Sequence, residues 1–382
     1  DAMSTPVSPD VAVIGGGVVG AACARAAALR GFRTVLYEPG PDPAAASPAS
    51  AGMLAAQIEP DDEALLALAI RGRETYEPLA RSLKDTTGLD VGFWREGIAS
   101  VAFDEAGMKR LRDMAAWQRQ MGLSCRWLES REALELWPAL SPDALGALLA
   151  AEDGAIDPPL LTNALRTDAE RLGVSPSRES VTGIVVEDGR ATGVRTVAGT
   201  APAGMVVIAA GAWSGRLAGL PRPLPVEPVR GQLALAPWPA GTPPAILYYD
   251  HAYVLARGGK AIIGSTMERV GFDARVTREG EEQLRAGAAR LFPSFATLPF
   301  EKTWAGLRPL TPDGRPILGR DPLVSGLWYA VGHGRNGILL AALTGDVIGD
   351  LMIGKQLDFD LSPFLIDRFE TPSAISRQQA DR

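Results

Sequence analysis

Residues 11–38, VAVIGGGVVGAACARAAALRGFRTVLYE, decide the fold of this chain. The first four residues are apolar and predict a short buried strand of a parallel sheet. A Gly-x-Gly-x-x-Gly turn follows, and the alanine-rich stretch up to Arg30 predicts a helix that Gly31 closes. Residues 33–37 predict a second strand, which ends at Glu38. This order of strand, glycine turn, helix and strand indicates a Rossmann-like start.

Each part of this segment suits the binding of a dinucleotide. Gly15 permits the tight turn, Gly17 lets the backbone approach a pyrophosphate, and Gly20 lets helix and strand pack closely. The helix N-terminus offers amide donors to the phosphates, and Glu38 is placed to accept hydrogen bonds from ribose hydroxyls. FAD and NAD share this fingerprint. The glycine spacing recurs at 332–337, GHGRNG, but no strand ending in an acidic residue is predicted after it, so no second complete dinucleotide-binding unit is expected. If FAD binds here, its electrons would come from the substrate rather than from a nicotinamide.

Composition excludes several classes of function. The formal net charge of −7 leaves no basic surface for a nucleic acid. Two cysteines and two histidines in 382 residues do not predict a metal site, because neither pair has ligand spacing. No apolar run approaches the ~20 residues of a membrane helix, and the first residues do not resemble a secretory signal. We therefore expect a soluble, cytoplasmic protein that binds neither nucleic acid nor membrane.

Six later segments carry most of the remaining information. They are SAGML at 50–54, YDHAY at 249–253, GSTM at 264–267, WAGLRP at 304–309, DGRP at 313–316 and GHGRNGILL at 332–340. In order and spacing these segments resemble the D-amino-acid oxidase superfamily, and within it the bacterial glycine oxidases. The resemblance extends over nearly the whole chain. The last two clusters are specific, whereas the N-terminal fingerprint is common to many flavoproteins.

The resemblance implies FAD bound noncovalently between two domains, with a small amino acid held over the flavin. It implies hydride transfer from the α-carbon to the flavin, followed by release of imine or keto acid and ammonia. Molecular oxygen is the expected acceptor, giving hydrogen peroxide. Glycine is the first substrate expected, followed by sarcosine and small D-amino acids. In the family, glycine oxidation supplies thiamine biosynthesis, and a homo-oligomer is compatible with the resemblance.

The expected fold class is α/β plus antiparallel β, with a Rossmann-like FAD-binding domain and an interleaved, mainly antiparallel-sheet substrate domain. We assign residues 10–85, 153–220 and 305–365 to the FAD-binding domain. Residues 86–152 and 221–304 form the predicted substrate-binding domain, whose second segment begins where prolines become dense. Residues 1–9 and 367–382 are predicted to be flexible tails.

The substrate site is expected from the same resemblance. Arg308 and Tyr253 match residues that bind the substrate carboxylate, and the predicted pocket wall is formed by Arg335, His251, Met53 and Met267. The planar fork of an arginine makes paired hydrogen bonds to a carboxylate, which suits Arg308 to this role. Other interpretations stay open here: a structural salt bridge for Arg308, and packing for Tyr253 and the methionines. His251 is expected to shape the pocket or take up the amine proton, and a purely structural role is its alternative.

The cofactor is expected to contact the glycine turn, the 50–53 loop and the 332–337 turn. The glycine-rich 332–337 turn leads into a last helix, so its amides and dipole would stabilise negative charge on the reduced flavin. Bacterial glycine oxidases often carry an aromatic residue at the position of Gly334, so this chain is expected to have a more open pocket. The predicted contacts are Gly15, Gly17, Val18, Val19, Gly20, Glu38, Ser50, Ala51, Gly52, Met53, Val181, Ala210, Gly211, Trp213, Gly306, Arg308, His333, Gly334, Arg335, Asn336, Gly337 and Ile338.

Three alternative functions remain at this stage. A dehydrogenase of the same fold would pass electrons to a quinone or carrier instead of oxygen. A flavin-dependent domain that modifies RNA could share the architecture, although the acidic charge argues against it. A non-catalytic flavoprotein subunit would not need Arg308, Tyr253 and Arg335 together in one pocket.

Overall fold

A computed structural model describes residues 8–58 and 62–369 of the chain. In that part the helices are α1 (Val18–Leu29), α2 (Ala46–Ala49), α3 (Glu63–Glu74), α4 (Tyr76–Thr87), α5 (Glu105–Gln120), α6 (Ser130–Leu136), α7 (Pro158–Arg171), α8 (Arg278–Leu291) and α9 (Gly337–Met352). The strands are β1 (Val11–Ile14), β2 (Thr34–Tyr37), β3 (Met53–Leu54), β4 (Ile98–Ala102), β5 (Arg126–Glu129), β6 (Gly146–Ala150), β7 (Gly154–Ala155), β8 (Ser175–Ser177), β9 (Val181–Glu187), β10 (Arg190–Thr196), β11 (Gly199–Pro202), β12 (Met205–Ile208), β13 (Glu227–Pro237), β14 (Ile246–Tyr249), β15 (Ala252–Arg257), β16 (Lys260–Gly264), β17 (Lys302–Leu310), β18 (Ile317–Arg320) and β19 (Leu327–Val331).

The first sheet is mostly parallel and forms the half in which the sequence predicts dinucleotide binding. Among the described strands its order is β18-β19-β12-β1-β2-β8, with β18 antiparallel to β19. Helix α1 packs between this sheet and α9, and Gly345 of α9 permits the contact, since a Cβ there would lie 2.6 Å from the Ala22 carbonyl oxygen. Gly15 has a φ of +99°, a conformation that side chains rarely adopt. The predicted strand–turn–helix–strand start is present.

The second sheet is mainly antiparallel and forms the other half. In the described residues its order is β17-β13-β16-β15-β14-β4-β6-β5, and β14 and β4 are the parallel neighbours. The long strand β13 pairs with β16 on one side and β17 on the other, with Gly231 opposite Gly306. Helix α8 packs on this sheet, and its buried Leu284, Ala288 and Leu291 belong to the same apolar core. The expected combination of a parallel and an antiparallel sheet is confirmed.

Several local predictions need correction. The pattern of residues 63–84 predicts one helix, but the structure has two helices that meet at Thr75, because Pro78 in the first turn of α4 has no N–H to continue the helical bonding. The Ala, Ser and Gly content of residues 47–57 predicts a loop, but the segment includes the end of α2 and strand β3. Asn336 is predicted to cap the last helix; it occupies the N-cap position of α9, but its side chain makes no capping hydrogen bond.

The predicted domain boundaries remain a prediction. Strands of the first sheet lie within residues 10–85, 153–220 and 305–365, whereas β17 extends across the predicted boundary at 304/305. Residues 367–369, assigned to a flexible tail, belong to the 3-10 helix Ile366–Phe369, where Arg368 bonds to Asp313 at 2.7 Å. Residues 1–7 and 370–382 of the predicted tails lie outside the described residues. Within the described ranges, no helix is both long enough and apolar enough to cross a membrane.

Candidate functional site

A cavity of about 760 Å³ lies where the two sheets meet. The carboxyl ends of β1, β2, β12 and β19 line one side, which is where open parallel sheets bind ligands. Side chains from the second sheet, including Leu233, Tyr253 and Arg308, line the other side. The cavity therefore connects the glycine turn to the predicted carboxylate anchor in one continuous space.

The nucleotide end of the cavity is organised around Glu38. Its Oε2 accepts a hydrogen bond from the Gly16 amide at 2.7 Å, and the carboxylate lines the cavity. Arg166 donates from Nε to the Gly16 carbonyl at 2.7 Å and lies 3.7 Å from Glu38. The Val18 amide at the start of α1 donates to Ser47 Oγ at 3.0 Å. These contacts hold the glycine turn and the acid in the relation that a bound ribose and pyrophosphate require.

Side chains of the second sheet hold the 49–53 segment, which runs from the end of α2 to the start of β3. Arg257 donates from Nη2 to the carbonyl oxygens of Ala51 at 2.7 Å and Ile156 at 2.8 Å. The Trp304 indole nitrogen donates to the Ala49 carbonyl at 2.9 Å. Gly52 has a φ of +87°, and a Cβ there would lie 2.0 Å from the Ile156 oxygen. These hydrogen bonds fix the position of the segment that brings Met53 to the cavity.

Arg308 projects into the other end of the cavity from β17. Its Nη2 donates to Ser265 Oγ at 2.5 Å, and its Nη1 donates to the Thr266 carbonyl at 3.0 Å. The Met267 sulfur lies 3.4 Å from Nη1. The guanidinium lies against Gly231, where an added Cβ would be 2.3 Å from Nη1. The absence of a side chain at Gly231 gives the guanidinium its place.

Two tyrosines on neighbouring strands complete this end. Tyr248 and Tyr253 are register partners in β14 and β15. Arg335 donates from Nη2 to the Tyr248 hydroxyl at 2.5 Å. The Tyr253 ring lies over Gly264, where a Cβ would be 2.2 Å from the hydroxyl oxygen. Two cationic groups and two phenols thus converge at the substrate end.

The turn before α9 faces the middle of the cavity. Residues 332–338 line the cavity, and the N-terminus of the sixteen-residue α9 is directed at it. His333 is buried and its Nε2 lies 3.0 Å from Thr344 Oγ1. Burial lowers the pKa of His333 to about 4, so the imidazole is neutral near pH 7. Positive potential here comes from the helix dipole and backbone amides, not from this histidine.

Most of the residues predicted for the site line the cavity, but three do not. Gly20 lies behind the turn, where a Cβ would be 1.7 Å from the Gly15 oxygen, in keeping with its packing role. Met267 contacts the outer side of Arg308, and its side chain is partly exposed. His251 lies on an exposed turn with 69% of its side chain accessible, 3.8 Å from Asp250. The geometry does not bring His251 to the cavity.

Other residues of the site were not predicted. The additional lining residues include Ser47, Thr182, Arg216, Gly231, Leu233 and Ser265, and Tyr248 accepts a hydrogen bond from the lining residue Arg335. Ser47 lies within the 47–57 segment, whose Ala, Ser and Gly content predicts a loop close to a cofactor, and Thr182 follows the predicted contact Val181. No motif in the sequence around Gly231 or Tyr248 identifies either of them as a residue of the site. Among the described residues, no group of three His, Cys, Asp or Glu side chains could hold a metal ion.

The cavity fits the dinucleotide cofactor that the sequence analysis predicts. Glu38 and the start of α1 lie at one end, and Arg308 lies at the other. At Gly211 an added Cβ would meet nothing within 4 Å, so the backbone there borders open space. The 334–337 backbone borders the section between the two ends.

Comparisons with known proteins agree with this geometry. The family described as DAO, FAD dependent oxidoreductase, matches residues 10–351. A glycine oxidase of Geobacillus kaustophilus is 36% identical over 364 residues, which cover 94% of this chain and 97% of that protein. The crystal structure of glycine oxidase from Geobacillus kaustophilus has a TM-score of 0.90 at 35% identity and covers 95% of this chain and 100% of its own.

A second solved structure is also similar to this chain. Iminodiacetate oxidase from Chelativorans sp. BNC1 is 27% identical, with a TM-score of 0.86, and covers 93% of this chain and 98% of its own. The family match spans most of the chain and includes both sheets. The chain therefore belongs to the DAO family of FAD-dependent oxidoreductases, and its cofactor is FAD.

Proposed function

We propose that this enzyme oxidatively deaminates glycine or another small amino acid. With oxygen as acceptor, the balanced reaction converts glycine, oxygen and water to glyoxylate, ammonia and hydrogen peroxide. The observation that carries the proposal is the Arg308 guanidinium at the end of the cavity opposite Glu38. A planar cation at that place suits an amino-acid carboxylate. The similarity to a glycine oxidase over 97% of that protein supports glycine as the first substrate.

Each proposed role follows from the position of a side chain. Bound FAD supplies the two-electron acceptor. Arg308 binds the substrate carboxylate, and the Tyr253 hydroxyl adds a hydrogen bond to the same group. Arg335, which donates to the Tyr248 hydroxyl and lines the same cavity, limits where the substrate amine rests. The amides at the start of α9 stabilise the negative charge that develops as the substrate is oxidised.

The size of the substrate depends on the residues beside Arg335. Gly334 has a φ of +56°, and a Cβ there would lie 3.1 Å from Leu310 Cδ1. Because a glycine fills little space, we infer a pocket that admits sarcosine and small D-amino acids as well as glycine. The relationship to an iminodiacetate oxidase supports substituted amines as candidates. We further propose oxygen as acceptor and a cytoplasmic location.

Anaerobic mixing of the purified yellow protein with candidate substrates tests this function. We would follow flavin absorbance with glycine, sarcosine, D-alanine and D-proline, and then readmit air and measure peroxide. Bleaching by glycine and recovery with peroxide in air is the expected result. Bleaching without recovery in air would refute oxygen as acceptor. If none of the four bleaches the flavin, the substrate class is wrong.

An arginine variant makes the same test specific to the site. Arg308→Lys keeps the positive charge but loses the paired hydrogen bonds to a carboxylate. We expect the apparent dissociation constant for glycine to rise by roughly 100-fold while FAD stays bound. An unchanged constant would show that Arg308 is not the anchor.

A further inference from the structure

The Arg308 guanidinium takes its orientation from one short segment. Ser265 Oγ, the Thr266 carbonyl and the Met267 sulfur contact it at 2.5, 3.0 and 3.4 Å. This segment follows β16 and is not itself part of a strand. An arginine side chain has many rotamers, so its direction depends on where these three groups lie.

The segment is fixed by a cluster that we call the Glu268 cluster, formed by Arg230, Gln232, Thr266 and Glu268. Glu268 Oε1 accepts from Thr266 Oγ1 at 2.5 Å and from Gln232 Nε2 at 2.7 Å. Its Oε2 accepts from Arg230 Nε at 3.2 Å and also from Nη2. The backbone amide of Gln232 donates to Thr266 Oγ1 at 2.9 Å. Arg230, Gln232 and Thr266 are buried, so water competes little for these bonds.

The backbone adds a second connection between the same residues. The Arg230 amide donates to the Glu268 carbonyl at 2.9 Å, and the Glu268 amide donates to the Arg230 carbonyl at 3.0 Å. Successive side chains of a strand point to opposite faces, so Arg230 and Gln232 face away from Gly231, which bears the guanidinium. One strand, β13, therefore holds the segment on one face and receives Arg308 on the other.

Glu268 is charged in this setting. Although burial acts to raise it, hydrogen bonds from Arg230, Thr266 and Gln232 hold the pKa of Glu268 below its ordinary value. An ionised carboxylate accepts stronger hydrogen bonds than a neutral amide oxygen. The three donors converge on it for that reason.

We propose that Glu268 is a positioning residue: its carboxylate fixes the 265–267 segment so that Arg308 presents its guanidinium to the substrate carboxylate. Glu268 acts through Arg308 and does not line the cavity. This inference rests on the proposed role of Arg308 as carboxylate anchor. The competing interpretation is that the cluster stabilises the loop after β16 without affecting ligand binding.

Acetate separates the two interpretations, because it carries the carboxylate and cannot be deaminated. We would titrate the FAD-bound protein with acetate, follow the flavin absorbance, and measure the melting temperature of each variant. Glu268→Gln keeps the shape and removes the charge. We expect its acetate dissociation constant to rise roughly tenfold. The control is Glu301→Gln, the same change in the exposed pair with Lys260, which should leave acetate binding unchanged.

Thr266 provides a second pair of variants if Glu268→Gln does not fold. Thr266→Val removes the hydroxyl at almost constant volume, whereas Thr266→Ser keeps it. We expect weaker acetate binding for Thr266→Val and recovery in Thr266→Ser. A lower melting temperature with unchanged acetate binding, in either series, would overturn the proposal in favour of loop stabilisation.

Arg308→Lys is measured in the same assay, so that the proposed anchor role of Arg308 and the proposed positioning role of Glu268 are tested independently. If Arg308→Lys weakens acetate binding and Glu268→Gln does not, the positioning role is wrong and the proposed function stands. If neither variant weakens acetate binding, the anchor itself is wrongly assigned, and with it the inference.

Discussion

Gly231→Ala is the sharpest perturbation of the carboxylate anchor. The new Cβ would lie 2.3 Å from Arg308 Nη1 and 2.5 Å from its Cζ, whereas ordinary contact begins at 3.4 Å. The guanidinium must therefore move by about 1 Å, which is the difference between the contact distance and 2.3 Å. The backbone at Gly231 has no left-handed φ, so alanine adds no conformational strain there.

The fold should tolerate this change better than the activity does. The atoms that must move are the far end of a long side chain, so we expect a small change in melting temperature. A misplacement of 1 Å at a reacting centre costs on the order of 100-fold in rate. That loss in kcat/KM corresponds to about 2.7 kcal/mol of transition-state stabilisation.

Steady-state kinetics with glycine would measure the loss, with Arg308→Lys and the double variant completing a double-mutant cycle. If Gly231 acts through Arg308, Gly231→Ala should lower kcat/KM only slightly in a protein that already carries Arg308→Lys. Retention of kcat/KM within about twofold in Gly231→Ala would refute the reasoning. An equal loss in both backgrounds would show that Gly231 acts on something other than Arg308.

Three further changes test other parts of the site. Tyr248→Phe removes the hydroxyl that accepts from Arg335, and we expect kcat/KM for glycine to fall roughly tenfold, since a hydrogen bond to a charged group is lost; no change would mean that this bond does not orient Arg335. His251→Ala should keep kcat/KM within about twofold because the side chain lies on an exposed turn, and a large loss would return His251 to the site. In the unfolded chain His333 takes up a proton below its ordinary pKa of 6.5, but in the folded protein burial lowers this pKa to about 4. As the pH falls from 6.5 to 4, protonation therefore favours the unfolded state, and the free energy of unfolding decreases by up to about 3 kcal/mol. His333→Gln should flatten the fall of melting temperature from pH 6.5 to 4, and an identical slope would contradict the assignment.

The start of the chain was predictable because its determinants are local. Gly15 and Gly31 have the positive φ values that their places in the turn and after the helix require. Asp188-Gly189, a dipeptide whose type predicts a tight hairpin turn, joins β9 to β10, and both residues have positive φ. In each case neighbouring residues in the sequence determine the backbone conformation.

The strands of the second sheet were less predictable, because hydrogen bonds to neighbouring strands, rather than a local hydrophobic pattern, determine where they form. Strand β5 lies at an edge and alternates weakly, and β17 contains Pro309, which argues against a strand on sequence grounds alone. Neither strand was predicted. β17 is nevertheless continuous in the structure because its residues pair with β13 from Glu227 to Leu235.

The site shows the same division between local and distant information. Arg308, Arg335 and Tyr253 were identified through motifs, and all three line the cavity. Tyr248 touches Arg335 from 87 residues away, and Gly231 meets Arg308 only through the register of two strands. Such contacts depend on tertiary pairing, which periodicity and spacing do not encode.

The hydrogen bonds from the second sheet to the 44–51 segment, which includes α2, limit how the two halves of such an enzyme can be exchanged. Donors from the second sheet reach three carbonyls of this segment: the Leu307 amide reaches Ala44, Trp304 reaches Ala49 and Arg257 reaches Ala51. A hybrid protein with a foreign substrate half would leave those carbonyls without their donors unless the new half supplied equivalents at the same three places. Inheritance of a new specificity is therefore simpler by substitutions around a retained Arg308 than by transfer of a whole domain.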